Sequence, residues 1–359
     1  MDTHTPLEKQ ANRSEFQPAV QQMAQPVDTR FTYDLLRLIE LSRCDSDVAL
    51  PLELQQAPYR WERMLRTSTA EGNRQTSAAV FRRDDTVFVA FRGSHMAKNE
   101  HRLRNYDLRL DPLGDGFAHR GFLQTLSWPM DAEYDADQRP LGVVLHETLR
   151  DIRKRHPECT KLVITGHSAG AALAQIFAVD YLDHPTAGLE MEKLYTFAAP
   201  RALTSALADR LNQYFEKRGE GHCLRIIHTA DNVAQRPPRN TYFWAGETKH
   251  YRHVGKPILL VPNLSEVSPD ALAKRLASYG AHAQALDATL ANPDPRIPPH
   301  QLDHYMDVFA TLAEKSEGVG AYWRESVVGD HRRLLTMREK EEARVAARER
   351  GEPSDPYLR

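Results

Sequence analysis

The sequence predicts an α/β fold in which helices flank a mostly parallel central sheet. Three observations lead there. Between about residues 77 and 261, short β-branched runs alternate with stretches of helical apolar spacing, the pattern that βαβ units leave. One such run, Lys161-Leu162-Val163-Ile164-Thr165, leads straight into Gly166-His167-Ser168-Ala169-Gly170 and then into the helix-forming Ala171-Ala172-Leu173-Ala174-Gln175-Ile176. The length, 359 residues, suits one large α/β domain with extensions or two small domains.

The elements follow in order along the chain. Residues 1 to about 28 are polar, with Pro6, Pro18 and Pro26 spaced through them, and read as a flexible N-terminal arm. Apolar residues recur at helical spacing over 31–41. The runs 77–81 and 86–91, hinged at Asp84-Asp85, read as a hairpin whose second member is buried. Residues 95–115 are charged and loop-like. A helix is expected over about 141–156, ended by Pro157, followed by a strand over 162–165 and a helix over 170–183. The next strand, 193–198, stops at Pro200-Arg201 and precedes a helix over 203–217. Strands at 223–228 and 256–261 come after it. Ser268-Pro269-Asp270 supplies a capping serine and a first-turn proline, which predicts a helix running to about Leu290. Another apolar-periodic helix is expected from Pro298 to Phe309. Residues 316–359 form a charged extension, dense in Arg and Glu up to about 350, read as a solvated helix that offers a docking element for a protein partner. The α/β domain is therefore placed at 29–315.

Composition excludes several function classes. A net charge of −2 gives no bulk field for nucleic acid or for an anionic membrane. The opening Met1-Asp2-Thr3-His4-Thr5-Pro6-Leu7-Glu8-Lys9 has neither a basic start nor an apolar stretch of the secretory kind. No run reaches the ~18 apolar residues of a membrane span. Cys44, Cys159 and Cys223 are widely spaced and read as reduced thiols. These features place the protein in the cytoplasm, or outside it by a route that needs no cleavable signal peptide. The 16 histidines show no metal-ligand spacing, so no metal is expected.

The strand–turn–helix setting of Gly166-His167-Ser168-Ala169-Gly170 is what a nucleophile elbow needs. A tight turn lifts the Ser168 hydroxyl clear of the sheet, and the two glycines remove side chains that would collide where strand and helix cross. A serine nucleophile needs a base, and the base an orienting carboxylate, in the chain order Ser, Asp, His. Asp231, three residues after the strand ending at His228, fits the carboxylate. His304 is favoured as the base, with His300 as the alternative; both lie at the start of the 298–309 helix. His253 reads as structural, and His167 is expected to pack under the elbow. One oxyanion donor is expected from the backbone N–H of Ala169; Ser94, after the buried strand and the sharp turn at Gly93, reads equally as the second donor or as part of a plain strand-ending turn.

The assembled segments resemble the class 3 lipases. Phe91-Arg92-Gly93-Ser94 is similar to the family's oxyanion segment, His119-Arg120-Gly121-Phe122 to its His-x-Gly-Phe block, and Gly166 to Gly170 to its elbow. Phe197-Ala198-Ala199-Pro200-Arg201 resembles the Gly-x-Pro-Arg block, with Ala198 where glycine is usual. Asp231 to Pro238 resembles the Asp-x-Val-Pro stretch, with Ala234 replacing the first proline. Tyr251-Arg252-His253-Val254-Gly255 is similar to the His-Val-Gly segment, and Asp303-His304-Tyr305-Met306-Asp307 to the His-Ser-Met block that carries the catalytic histidine in bacterial members.

The resemblance covers about residues 30–315. It implies an α/β-hydrolase fold, hydrolysis of carboxylic esters of lipid type (lipase, phospholipase or esterase), Ser94 and Ala169 in the oxyanion hole, and no metal or organic cofactor. The alternative is a lipase-like binding or signalling module without turnover. Family lipases carry an amphipathic lid after the oxyanion strand; here 94–109 is charged on every face. Such a segment would lose much hydration on entering an acyl layer. It favours transient membrane-surface contact with phospholipids, or small soluble esters, over strong activation on neutral fat.

Overall fold

In a buried strand, successive side chains face opposite sides of the sheet, so a continuous apolar run calls for cover on both faces. Strand β3 (Thr86–Phe91) shows this division, as does β6 (Lys161–His167). Val87, Val89, Phe91, Leu162 and Ile164 pack on one side against α3 (Leu141–Arg155) and α4 (Ala169–Asp183). Phe88, Ala90 and Val163 pack on the other against α1 (Thr29–Leu41) and α7 (Leu302–Lys315). Each large apolar side chain so buried contributes roughly 1.5–3 kcal/mol. The structure is a computed structural model that describes residues 27–43, 58–68, 74–94, 104–185, 187–238, 240–242, 248–279, 283–288 and 299–315. The predicted arm before residue 27, the charged extension after 315, the stretch 95–103 and Cys44 lie outside the described residues.

The main sheet has eight strands in the order β1-β2-β3-β6-β7-β9-β12-β13. β1 (Arg60–Ser68), β2 (Arg74–Arg83) and β3 pair antiparallel. From β3 onward, through β6, β7 (Glu190–Phe197), β9 (Cys223–His228), β12 (Lys256–Val261) and β13 (Gln284–Asp287), every pairing is parallel. A parallel sheet gathers its strand ends: Phe91 lies opposite Gly166, His167 opposite Phe197, and Phe197 opposite Ile226. The segments that carry Ser94, Ser168 and Asp231 therefore leave the sheet at the same edge, where folds of this kind build their sites. This is the α/β-hydrolase arrangement.

The predicted helices and parallel strands of the domain are present with small boundary shifts, except at one place. The helix that starts at Ser268 is α6 (Pro269–Tyr279). The expected extension to Leu290 is corrected: Gln284–Asp287 is the edge strand β13, parallel to β12. Its four residues are too short to show a strand period against the helical spacing before them.

A second sheet of five strands, order β10-β11-β8-β5-β4, is antiparallel. It consists of β10 (Asn240–Tyr242), β11 (Thr248–Arg252), β8 (Leu203–Thr204), β5 (Gly116–His119) and β4 (Leu110–Leu113). Two of the segments with family resemblance, and the residues directly after a third, meet here. Ala118 pairs with Leu203, Thr204 with Tyr251, and His119 N–H donates to the Ala202 carbonyl at 2.8 Å. His119 is fully buried and burial holds its pKa near 4, so it is neutral and structural. The remaining helices, α2 (Arg120–Leu126) and α5 (Ser205–Glu216), cover the α4 side of the main sheet.

Candidate active site

The elbow is built by close approach of backbone. A Cβ on Gly166 would lie 2.3 Å from the Gly170 carbonyl oxygen, and one on Gly170 would lie 2.3 Å from the Phe91 carbonyl oxygen. Only glycine fits either position, because backbone carbonyls cannot swing aside. Between them Ser168 takes φ 57°, ψ −126°, a conformation that L-residues avoid at a cost of about 1–3 kcal/mol. Its N–H donates to the Phe197 carbonyl at 2.9 Å, and α4 begins at the next residue. Ala198 also carries positive φ, 51°, at the position where the family usually has glycine.

Ser168 Oγ lies 2.8 Å from Nε2 of His300. His300 Nδ1 faces both carboxylate oxygens of Asp231, at 3.1 and 3.0 Å. A carboxylate only accepts, so Nδ1 carries the hydrogen and Nε2 is left to accept from the serine hydroxyl. The Asp231 side chain is fully buried and the His300 side chain is 28% exposed, so the row opens toward solvent at its working end. The Val233 N–H donates to Asp231 Oδ1 at 2.8 Å.

The structure sets His300, the alternative base, and not the favoured His304, against Ser168. The two histidines are four residues apart, which would put them on one face of a common helix, but α7 begins only at Leu302. His300 sits in the turn before it and reaches across to Ser168. His304, inside the helix, is turned into the core, with its ring edge-on to His228 at 4.6 Å. Burial, reinforced by His304, holds His228 near pKa 4.

Two supports escaped the sequence reading. Tyr305, read as part of an apolar-periodic run and of the segment resembling the His-Ser-Met block, is fully buried. Its hydroxyl accepts from the His228 N–H at 2.9 Å and donates to Asp231 Oδ2 at 3.2 Å. His167 does more than pack under the elbow: its Nε2–H donates to the His300 carbonyl at 2.8 Å. Burial keeps its pKa well below the ordinary imidazole value, with His300 adding to the effect, so it acts as a neutral donor. A polar tip inside an apolar stripe was the available signal for Tyr305; nothing local marked His167.

The segments expected to supply oxyanion donors adjoin the elbow. Ala169 is the first residue of α4, where N–H groups have no intrahelical partner. A Cβ on Gly93 would lie 3.6 Å from Ser168 Cβ, so the backbone leading to Ser94 runs along the elbow. The Ser94 hydroxyl accepts from Arg104 Nη2 at 2.9 Å, and the Asn105 side-chain amide lies 3.1 Å away through Nδ2 and 3.2 Å through Oδ1. His253, read as structural, follows β11 and accepts from Asn212 through its carbonyl. Among the described residues, no group of three His, Cys, Asp or Glu could hold a metal ion, and no helix is long and apolar enough to cross a membrane.

Residues 88–241 match the family model of "Lipase (class 3)". A secreted mono- and diacylglycerol lipase A of Penicillium cyclopium is 29% identical over 160 residues, covering 44% of this chain and 45% of that protein. A putative lipase of Saccharomyces cerevisiae is 27% identical over 159 residues, 39% of this chain and 40% of that one. The chain thus spans less than half the length of the curated relatives it matches. Among solved structures, the lipase of Rhizopus microsporus var. chinensis is similar at 19% identity and TM-score 0.44, covering 68% of this chain and 77% of that one. The Lip2 lipase of Yarrowia lipolytica is similar at 14% identity and TM-score 0.45, covering 64% and 78%.

Proposed function

We propose that this chain, whose residues 88–241 match the model of the class 3 lipases, is a serine hydrolase of carboxylic esters, acting on lipid-like substrates. The observation that carries this reading is the serine hydroxyl 2.8 Å from an imidazole whose other nitrogen faces a buried carboxylate. Ser168 Oγ attacks the acyl carbon while its proton passes to His300 Nε2. The carbonyl oxygen becomes an oxyanion that the Ala169 N–H and Ser94 hold. His300 then gives the proton to the departing alkoxide, leaving an acyl-enzyme. Water enters, His300 takes its proton, and the same oxyanion forms and collapses, releasing the acid as His300 returns the proton to the departing Ser168 Oγ. Asp231 keeps the imidazole in the tautomer and orientation these transfers need.

The relatives' names point to acylglycerols. The charged stretch 94–109 of this chain favours phospholipids or small soluble esters. A rate that jumps sharply above the solubility limit of tributyrin would count against that preference. The activity itself is tested with p-nitrophenyl butyrate: Ser168→Ala should lose at least ~10³-fold in turnover while melting as the wild type does. Equal rates in the two proteins would overturn the proposal. A lipidomic comparison of the same pair identifies the head group and acyl length.

A further inference from the structure

One cation is set unusually deep beside the proposed oxyanion site. Arg104 is 8% exposed, and its guanidinium is fixed from three sides. Nη2 donates to Ser94 Oγ at 2.9 Å, Nη1 donates to Thr125 Oγ1 at 3.3 Å, and the plane lies 5.3 Å from the centre of the Trp128 ring. Thr125 is itself tied down, donating to the Gly121 carbonyl at 3.2 Å. The Arg104 backbone is held equally closely: a Cβ on Gly121 would fall 2.0 Å from its carbonyl oxygen. Burial lowers the guanidinium pKa to about 10, which leaves it charged at neutral pH.

We infer that Arg104 is a positioning residue for the oxyanion donor, aiming the Ser94 hydroxyl at the substrate oxygen. A serine hydroxyl has one hydrogen and two lone pairs, and a guanidinium can only donate. The 2.9 Å contact therefore makes Ser94 Oγ an acceptor on that side. Asn105 faces the same hydroxyl, with Nδ2 at 3.1 Å and Oδ1 at 3.2 Å; when Nδ2 donates, both lone pairs are used, and the hydrogen turns from Oδ1 to the oxyanion. A donor already aimed costs no reorganisation as the oxyanion forms.

This inference rests on the ester-hydrolase reading. Its test compares wild type, Ser94→Ala, Arg104→Gln and the double variant on p-nitrophenyl butyrate, with rates expressed per site titrated by a fluorophosphonate. Ser94→Ala should lower kcat by ~10²-fold and Arg104→Gln by ~10-fold or more, with KM within ~3-fold of wild type. The double variant should match Ser94→Ala within ~3-fold, because the arginine acts through the hydroxyl. A packing role alone would reduce the titrated fraction and the melting temperature while leaving kcat per site unchanged, and would overturn the inference. So would losses that multiply in the double variant. Should Arg104→Gln fail to fold, Arg104→Lys serves in its place: one ammonium cannot bridge Thr125 and Ser94, and kcat per site should fall ~5-fold or more. A wild type that neither hydrolyses nor labels would sink both readings; an active wild type with Arg104 variants at full turnover would sink this one alone.

Discussion

Replacing Tyr305 by phenylalanine removes one oxygen from the centre of the proposed triad's frame and keeps the ring. That oxygen accepts from the His228 N–H at 2.9 Å and donates to Asp231 Oδ2 at 3.2 Å. The side chain is fully buried, with its ring 6.3 Å from that of Phe197, so solvent cannot take the oxygen's place. An orphaned buried N–H costs about 1–3 kcal/mol, and a lost bond to a carboxylate about 1.5–3 kcal/mol. Phenylalanine has no hydroxyl to desolvate, which offsets part of this and leaves a net loss of about 2–4 kcal/mol. For a domain of this size that is a fall in Tm of roughly 5–12 °C. Asp231 keeps the Val233 N–H and the His300 ring, so turnover should fall only ~10-fold, in kcat rather than KM. Thermal melts and steady-state kinetics on the purified variant measure both quantities. A Tm within 2 °C of wild type together with a kcat within twofold would refute the idea that the phenol braces the carboxylate.

Two further changes probe the frame. Gly170→Ala puts a methyl 2.3 Å from the Phe91 oxygen and 2.6 Å from the Arg92 oxygen, both backbone, and should cost at least ~3 kcal/mol and abolish labelling of Ser168. Gly188→Ala is its control: φ is +63° but nothing lies within 4 Å, so urea titration should find only the ~1 kcal/mol of the left-handed backbone. Asp34, which accepts from Tyr59 at 2.8 Å, is pushed up to about 6 by burial. Between the ordinary carboxylate range and that value the folded chain keeps a proton that the unfolded chain has released. This group's contribution to stability is therefore present at low pH and lost as pH rises through about 6, on the order of 2–3 kcal/mol. Asp34→Asn should flatten the stability profile over that window, and an unchanged profile would contradict the assignment.

How much could be read from sequence depended on how local each feature is. The elbow was legible because strand, turn and helix are consecutive, and the glycines that permit the crossing lie within the same five residues. The parallel strands were legible because burial on both faces leaves unbroken apolar runs such as Thr86–Phe91. The second sheet was not: Leu203–Thr204 is a strand only because Ala118 and Tyr251 come to lie beside it. The choice between His300 and His304 turned on where α7 begins, and the local pattern does not fix a helix start to within two residues. Arg104 looked like one more charge in a polar loop; its burial is set by Trp128 and Thr125, over twenty positions away. Tyr305 looked like a core ring because its hydroxyl finds its partners only in three dimensions.

The central claim is that His300 activates the Ser168 hydroxyl. It is tested most directly by the rate of fluorophosphonate labelling, mapped to the modified peptide, in wild type, His300→Ala and His304→Ala. The account predicts labelling at Ser168, a loss of ~10³-fold or more on removing His300, and no more than ~10-fold on removing His304 from a protein that still folds. Labelling of His300→Ala at the wild-type rate, or collapse of labelling only in a folded His304→Ala protein, would contradict it.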